Sequence, residues 1–264
     1  MPNPSPARMH DFEVVSNEEI AEGIFSLVIL APRLASALKP GQFVNIRVPG
    51  DASELLRIPL SYVSADAEHG TVEIWYAVVG NATRRMSQWK PGFTSDLLGP
   101  GGRGWKAPEG TKRALVVGGG IGVPPVLCLA RELVSAGVAV DACVGAASAS
   151  KLVGLEDFRA LGCDQVCVAT DDGSAGACGF CTDPASELLA TGGYDYVATC
   201  GPGVMMSKVA AAAAEAGVYC EASLERMMSC GFGACSTCNV ETTDGMQGAC
   251  MCGPVFDASK VVVW

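Results

Sequence analysis

Residues 113–125 read RALVVGGGIGVPP, and this stretch decides the fold. The run 113–117 predicts a buried strand. The pair Pro124-Pro125 suits the first turn of a helix, where no amide donor is needed. A glycine loop between a strand and a helix lets the backbone approach a pyrophosphate, whose charge the helix N-terminus favours. Because the spacing is not GxGxxG, a tight turn without a ligand is an equally good interpretation of this loop alone.

The chain beyond this loop alternates strand and helix patterns. Further strands are predicted at residues 138–144, 165–170, 194–199 and 218–221, and helices at about 123–136, 154–161 and 204–216. This alternation predicts a parallel sheet with helices on both faces.

Two more glycine-bearing loops, 170–174 and 200–203, follow later strands of this predicted sheet. In open α/β sheets, ligands bind beyond the carboxyl ends of the strands. Three such loops therefore predict a dinucleotide site, and the candidate residues are Gly118, Gly119, Gly120, Gly122, Asp171, Cys200, Gly201 and Pro202. No arginine follows the second strand to bind a 2′-phosphate, which favours NADH over NADPH.

The first hundred residues carry a different pattern. Short strands are predicted at 23–30, 43–48, 59–64 and 71–79, with one helix at 82–89. Such closely spaced strands favour an antiparallel barrel or sandwich. The stretch 99–112 separates the two patterns. We therefore divide the chain into a flexible tail (1–10), a β-barrel domain (11–108), an α/β domain (109–222) and a C-terminal lobe (223–264).

The composition excludes several classes of protein. The 264 residues are 49% hydrophobic and 17% charged, which is incompatible with wholesale disorder. The net charge is 18 − 28 = −10 without a basic run, so no nucleic acid partner is expected. No apolar run reaches the roughly 18 residues of a membrane span. The first residues lack the apolar core of a signal peptide, so we expect a cytoplasmic protein.

The thirteen cysteines are unevenly distributed, with none before Cys128. Cys230, Cys235 and Cys238 give C-x4-C-x2-C, and Cys250 and Cys252 follow. This is the ligand spacing of a plant-type [2Fe-2S] cluster. Zinc is an alternative because it also binds four thiolates, although its ligands usually come as CxxC pairs. Unliganded thiols are the third possibility.

From about residue 12 to residue 256 the chain resembles the electron-transfer subunit of class 1B dihydroorotate dehydrogenase, within the ferredoxin-reductase-like flavoproteins. The segments that carry the resemblance are GGGIGVPP (118–125), TDDGSAGACG (170–179), CGPGVMM (200–206), SLERMMSCGFGACSTC (223–238) and CGPVF (252–256). In that family two residues separate the last cluster ligand from GPVF. The resemblance therefore implies Cys250, rather than Cys252, as the fourth ligand.

The resemblance also implies cofactors, a partner and a route for electrons. The barrel would bind FAD, the α/β domain NADH, and the lobe the [2Fe-2S] cluster, which would pass electrons to an FMN-containing catalytic subunit. The implied flavin-binding residues are Arg57, Pro59, Leu60, Ser61, Trp75, Tyr76, Gly80 and Thr83. Hydride transfer between two bound rings depends on positioning, so no acid–base catalytic residue is nominated.

The sequence departs from the family at the flavin site. The family's Arg-Pro-x-Ser reads Ile-Pro-Leu-Ser at 58–61, and its Tyr-Arg-x-x-Gly-x-Gly-Thr reads YAVVGNAT at 76–83. Both arginines are absent, and Arg57, Arg84 or Arg85 could replace them only if the local backbone differs. Two alternatives therefore stay open. The module could serve a different reductase partner, or the chain could be a non-enzymatic iron–sulfur redox sensor.

Overall fold

A computed structural model describes residues 7–50 and 55–264, which form two seven-stranded sheets and a small hairpin. The first sheet contains β1 (Arg8–Ala21), β2 (Ile24–Leu30), β3 (Phe43–Ile46), β4 (Ile58–Ser61), β5 (Ser64–Asp66), β6 (Thr71–Ala77) and β7 (Thr94–Gly101). Two short helices, α1 (Pro32–Ala35) and α2 (Asn81–Met86), lie between these strands.

The first sheet is antiparallel, in the order β4-β3-β7-β1-β2-β6-β5. It curls so that β4 also contacts β6. Leu27 and Ile29 alternate on the inner face of β2, and Val44 and Ile46 do the same on β3, so all four are buried in one core. The predicted antiparallel barrel is confirmed.

The predicted flexible tail is wrong for Arg8, Met9 and His10. These residues begin β1 and pair with β7, where Met9 lies opposite Leu98. Their side chains are mostly solvent-exposed, so they show no apolar alternation, but the backbone ladder does not need it. Residues 1–6 of the predicted tail lie outside the described residues.

The second sheet contains β8 (Arg113–Gly119), β9 (Ala139–Ala146), β10 (Val166–Thr170), β11 (Ala177–Cys178), β12 (Tyr196–Cys200), β13 (Tyr219–Ser223) and β16 (Val255–Asp257). Its helices are α3 (Val123–Ser135), α4 (Leu155–Ala160), α5 (Thr182–Thr191) and α6 (Gly203–Glu215). The strand order is β11-β10-β9-β8-β12-β13-β16, and every pair except β13 with β16 is parallel. The predicted parallel sheet is confirmed, and its order reverses between β8 and β12.

The C-terminal segment forms the hairpin β14 (Asn239–Thr242) and β15 (Gly245–Gly248), followed by the short helix α7 (Ala249–Cys252). Its last strand, β16, pairs antiparallel with β13 and places Phe256 opposite Ala222. The cysteine-rich segment is therefore held against the edge of the parallel sheet. Within the described part of the chain, no helix is both long enough and apolar enough to cross a membrane.

Candidate functional site

A cavity of about 540 Å³ lies where the two sheets and the C-terminal segment meet. It lies beyond the carboxyl ends of β8 and β12, where the strand order of the parallel sheet reverses. Open α/β sheets bind their ligands at such a switch point. Its size and concave shape are those of a cofactor site.

Ten residues predicted from sequence line this cavity together. They are Pro59, Leu60, Ser61 and Trp75 from the barrel, and Gly119, Gly120, Gly122, Cys200, Gly201 and Pro202 from the loops after β8 and β12. The barrel group and the loop group were predicted from separate motifs for different cofactors. One cavity therefore holds the candidate residues for both the flavin and the nicotinamide.

The glycines of these loops allow two backbone segments to cross closely. A Cβ atom on Gly122 would lie 2.5 Å from the carbonyl carbon of Cys200 and 2.6 Å from the nitrogen of Gly201. A Cβ atom on Gly119 would lie 2.5 Å from the sulfur of Met205. The loop after β8 therefore needs glycine to pack against the loop after β12.

Cys200 lines the cavity at the end of β12. Burial raises the pKa of its thiol to about 12, against the opposing effect of a hydrogen bond with Ser223. The side chain is therefore a neutral thiol at neutral pH. It presents a small uncharged surface to the cavity.

Arg57 and Tyr76 do not line this cavity. The Arg57 guanidinium contacts Asp96, with Nη2 2.5 Å from Oδ1, and also donates to the Asp96 carbonyl oxygen. Burial alone would raise the pKa of Asp96, but hydrogen bonds from Arg57 and Arg47 lower it. Tyr76 is buried in the barrel core and donates its hydroxyl to Asn17 Oδ1 at 3.1 Å.

The remaining candidates also lie away from the cavity lining. Thr83 Oγ1 accepts hydrogen bonds from the amides of Val79 and Gly80 and so caps helix α2. Gly118 is buried at the end of β8. Asp171 is exposed in the loop after β10, where its amide donates to the Ala146 carbonyl oxygen. Arg84 is exposed and donates to Asn81 Oδ1, and Arg85 lies beside Gly50.

Several residues that line the cavity were not predicted as site residues. They are Phe43, Ile121, Pro125, Gly203, Met206, Ser223, Leu224, Glu225, Arg226, Met228, Pro254 and Trp264. The SLERMM motif covers residues 223–228, and its resemblance to the family could have indicated that this segment contributes to the site. Phe43 and Trp264 had no such signal, because only the folded chain brings them to the cavity.

Four cysteines of the C-terminal segment lie in two contacting pairs. Cys230 lies beside Cys235, and Cys250, whose backbone amide donates to Cys238 Sγ, lies beside Cys238. Burial raises the pKa of Cys250 to about 12, and the adjacent Cys238 thiol and the charge of Cys230 contribute to the rise. Hydrogen bonds from Thr237 and Cys230 lower the pKa of Cys235 to about 6.

Amide and hydroxyl donors already point at these sulfurs. The amide of Ala234 donates to Cys230 at 3.3 Å, that of Cys250 donates to Cys238 at 3.4 Å, and the Thr237 hydroxyl donates to Cys235 at 3.2 Å. Over residues 7–50 and 55–264, no group of three or more His, Cys, Asp or Glu side chains is close enough together to coordinate a metal ion. Four thiols with donors aimed at them nevertheless fit a thiolate-ligated cluster, because such donors stabilise thiolates and cluster sulfurs.

Cys252 lies in a different environment. It lines a second cavity of about 180 Å³, together with Glu221, Asp257 and Lys260. The contacts of Cys250 with the other thiols therefore favour Cys250 as the fourth ligand.

An antiparallel barrel beside a parallel nucleotide-binding sheet, with one cavity at their junction, defines a ferredoxin-reductase-like protein. The family model for the iron-sulfur cluster binding domain of dihydroorotate dehydrogenase B matches residues 225–262. The electron transfer subunit of dihydroorotate dehydrogenase B (NAD(+)) from Bacillus caldolyticus is 39% identical over 257 residues, which are 95% of this chain and 97% of that protein. The corresponding subunit from Fusobacterium nucleatum is 35% identical over 262 residues, which are 97% of this chain and 99% of that protein. The chain belongs to the family of dihydroorotate dehydrogenase B electron transfer subunits.

Solved structures share the fold. A chain of an NADH-dependent reduced ferredoxin-NADP oxidoreductase, studied for flavin-based electron bifurcation, superposes with a TM-score of 0.86 at 31% identity. The match covers 99% of this chain and 91% of that one. A cytochrome P450 reductase from Amycolatopsis superposes with a TM-score of 0.68 at 22% identity, over 81% and 67% of the two chains, and shows the fold alone.

Proposed function

We propose that this chain is the NADH-oxidising subunit of a dihydroorotate dehydrogenase B. Electrons pass from NADH through FAD and a [2Fe-2S] cluster to a flavin-containing catalytic subunit. FAD converts a two-electron hydride donor into one-electron transfers, which a single cluster requires. We assign FAD to residues 11–108, NADH to 109–222 and the cluster to 223–264.

One observation carries this proposal. The hydrophobic cluster that buries Cys238 and Cys250 also includes Phe43, Leu224 and Met228. These last three side chains line the large cavity. A continuous set of packed side chains therefore joins the cavity to the cysteine pairs, as a route for electrons between two cofactors requires.

The cavity residues bind and orient the two cofactors, and none of them is assigned a proton transfer. The glycine loops after β8 and β12 provide close backbone approach for the nicotinamide nucleotide. Pro59–Ser61 and Trp75 form the opposite wall of the cavity and would hold the flavin. The neutral Cys200 thiol keeps charge away from the reacting centre. Positioning of the two rings side by side in one site would supply the rate.

The flavin pyrophosphate needs positive charge, and Arg57, Arg84 and Arg85 are the candidates. Arg57 would have to leave Asp96 to serve this role, because its guanidinium binds that carboxylate directly. Gly80 and Thr83, at the start of helix α2, and Tyr76 would support the flavin site from within the barrel. Gly118 and Asp171 would support the nucleotide site.

We assign the cluster to Cys230, Cys235, Cys238 and Cys250. The exposed end of this site carries Cys235, and the same segment exposes Phe232 by 55% and Met227 by 76%. Exposed apolar side chains beside a one-electron carrier suit a docking surface for the catalytic subunit. None of the thirteen cysteines forms a disulfide, which supports a reducing cytoplasm as the location.

The test is a reconstitution of the complex. The anaerobically purified chain should contain iron, sulfide and releasable FAD, and NADH should bleach its flavin absorption. With the co-purified catalytic subunit, dihydroorotate should reduce NAD⁺. A native complex that contains FAD and the cluster but shows no dihydroorotate activity would overturn the choice of partner.

A different reductase partner is the second candidate. The likeness to the ferredoxin-NADP oxidoreductase chain and the two absent arginines favour it. Mass spectrometry of the chain that co-purifies from the native source discriminates between the two candidates. The third alternative, a non-enzymatic redox sensor, is not retained, because the family is one of NAD⁺-dependent enzyme subunits.

A further inference from the structure

We propose that the side-chain amide of Asn45 donates a hydrogen bond to an anionic sulfur of the cluster site and raises its reduction potential. The proposal rests on the assignment of the cluster to the four cysteines. It makes Asn45, a barrel residue outside the cysteine segment, a residue that contacts the cluster and sets its potential.

Asn45 lies in β3 with only 3% of its surface exposed. Its neighbours Val44 and Ile46 point into the barrel core, whereas Phe43 packs with the cluster that contains Cys238 and Cys250. Alternation along the strand therefore turns Asn45 towards the C-terminal segment.

The Asn45 amide nitrogen, Nδ2, has no hydrogen-bond partner within the described residues. An unsatisfied buried donor destabilises the folded state, so native proteins rarely keep one without a partner such as an ion. Asn17 provides a contrast, because its amide donates to the carbonyl oxygens of Met86 and Trp89. The orphaned donor of Asn45 thus indicates an acceptor that the protein chain alone does not supply.

The position of the amide identifies that acceptor. A Cβ atom on Gly231 would collide with Nδ2 of Asn45 and lie 2.9 Å from its Cγ atom. Gly231 directly follows Cys230 and has a φ of +76°, which glycine adopts without strain. The amide therefore packs onto the loop between Cys230 and Cys235, where the acceptors introduced by a cluster are thiolate and sulfide sulfurs.

A donor at this place favours the reduced cluster, because reduction adds negative charge to the sulfurs. Hydrogen bonds to the sulfurs are one of the factors that set cluster potentials. Removing the donor should therefore shift the equilibrium towards the oxidised form. We expect a roughly 3- to 10-fold shift, which is about 30–59 mV for one electron.

The experiment uses the full chain with its cofactors and three variants. Asn45→Leu removes the donor at similar volume, and Asn45→Asp replaces it with an acceptor of the same shape. Asn17→Leu is the control, since it removes a half-buried barrel amide whose hydrogen bonds are satisfied. Each protein is titrated electrochemically while the reduced cluster is followed by electron paramagnetic resonance. Iron content and the melting temperature of the apoprotein are measured in parallel.

Asn45→Leu should contain normal iron, have a lower cluster potential, and leave the apoprotein at least as stable as the parent. Asn45→Asp should lower the potential more at high pH than at low pH, because the protonated acid is again a donor. Asn17→Leu should lose stability without a potential shift. If Asn45→Leu fails to load the cluster, the pH dependence of Asn45→Asp decides.

An unchanged potential and resonance spectrum in Asn45→Leu, or a potential in Asn45→Asp that is independent of pH, would overturn the proposal. The amide would then only pack against Gly231. A parent protein that binds no cluster would instead contradict the proposed function, so the two failures are distinguishable.

Discussion

The crossing of two loops at Gly122 offers the sharpest test of the cavity as a nicotinamide site. Gly122 has a φ of −79°, which alanine adopts freely, so Gly122→Ala introduces no backbone strain. The added Cβ atom would lie 2.5 Å from the Cys200 carbonyl carbon, whereas an ordinary contact begins at 3.4 Å. The Cys200 carbonyl oxygen is nearer still, so the two loops must separate by at least about 0.9 Å, and both are part of the proposed site.

The size of the effect follows from this displacement. Overpacking of this kind costs about 1–3 kcal/mol. For a chain of this length, that lowers the melting temperature by roughly 2–12 °C. A displacement of about 1 Å in a positioned site can cost roughly 100-fold in rate. We therefore expect the dissociation constant for NADH to rise about tenfold or more, and flavin reduction by NADH to slow by one to two orders of magnitude.

The assay is anaerobic stopped-flow reduction of the flavin at a series of NADH concentrations. Gly137→Ala is the matched control, because Gly137 lies just beyond helix α3 with a φ of +81° and open space around its Cβ position. It should lower stability through backbone strain while leaving the NADH kinetics unchanged. Parent-like NADH binding and flavin reduction in Gly122→Ala would refute this account of the loop crossing.

Three further predictions concern the cysteines, a buried carboxyl and the cavity wall. Cys250→Ser should abolish the iron content and cluster absorption of the anaerobic protein, whereas Cys252→Ser should retain both, and the reverse result would make Cys252 the ligand. Burial raises the pKa of Glu221 above its ordinary value of 4.5, so the folded protein binds this proton more tightly than the unfolded chain does. The free energy of unfolding therefore falls as the pH rises from the pKa of Glu221 in the unfolded chain to its higher pKa in the folded protein. Glu221→Gln should therefore raise the melting temperature at about pH 8 and lose this advantage below about pH 4, whereas a gain independent of pH would contradict the argument. Phe43→Ala should cost about 3–5 kcal/mol in denaturant unfolding and speed flavin release on dilution, and retention of flavin at the parent rate would exclude Phe43 as a wall of the flavin site.

Local sequence patterns were sufficient to predict most of the helices and strands. Helix α6 (Gly203–Glu215) matches the prediction over 204–216, because five consecutive alanines favour a helix wherever they lie. Strands β8, β9, β10, β12 and β13 were predicted because burial within the sheet makes them largely apolar, whereas the short, exposed β11 and the edge strand β16 were missed. Strands β1 and β7 were not predicted, since β1 is largely exposed and β7 contains glycine and proline. Helix α5 was also missed.

The candidate site was predictable where strand-end loops carry glycine. The loops after β8 and β12 meet in one cavity because parallel strands place their carboxyl ends at one edge. The contributions of Phe43 and Trp264 were not predictable, because one lies in the barrel and the other at the end of the C-terminal segment. Only packing of the C-terminal segment against both sheets brings these side chains to the cavity.

The sequence by itself determined the two sheet types, the three glycine loops and the spacing of the cluster cysteines. These features follow from local periodicity and from fixed distances along the chain. The tertiary structure decided which partners those residues meet. It placed Cys250 with Cys238, and Cys252 in another cavity; it placed Arg57 on Asp96, and the orphaned amide of Asn45 on Gly231. Such contacts depend on segments far apart in sequence, whose approach is set by the burial of a shared core and not by any local pattern.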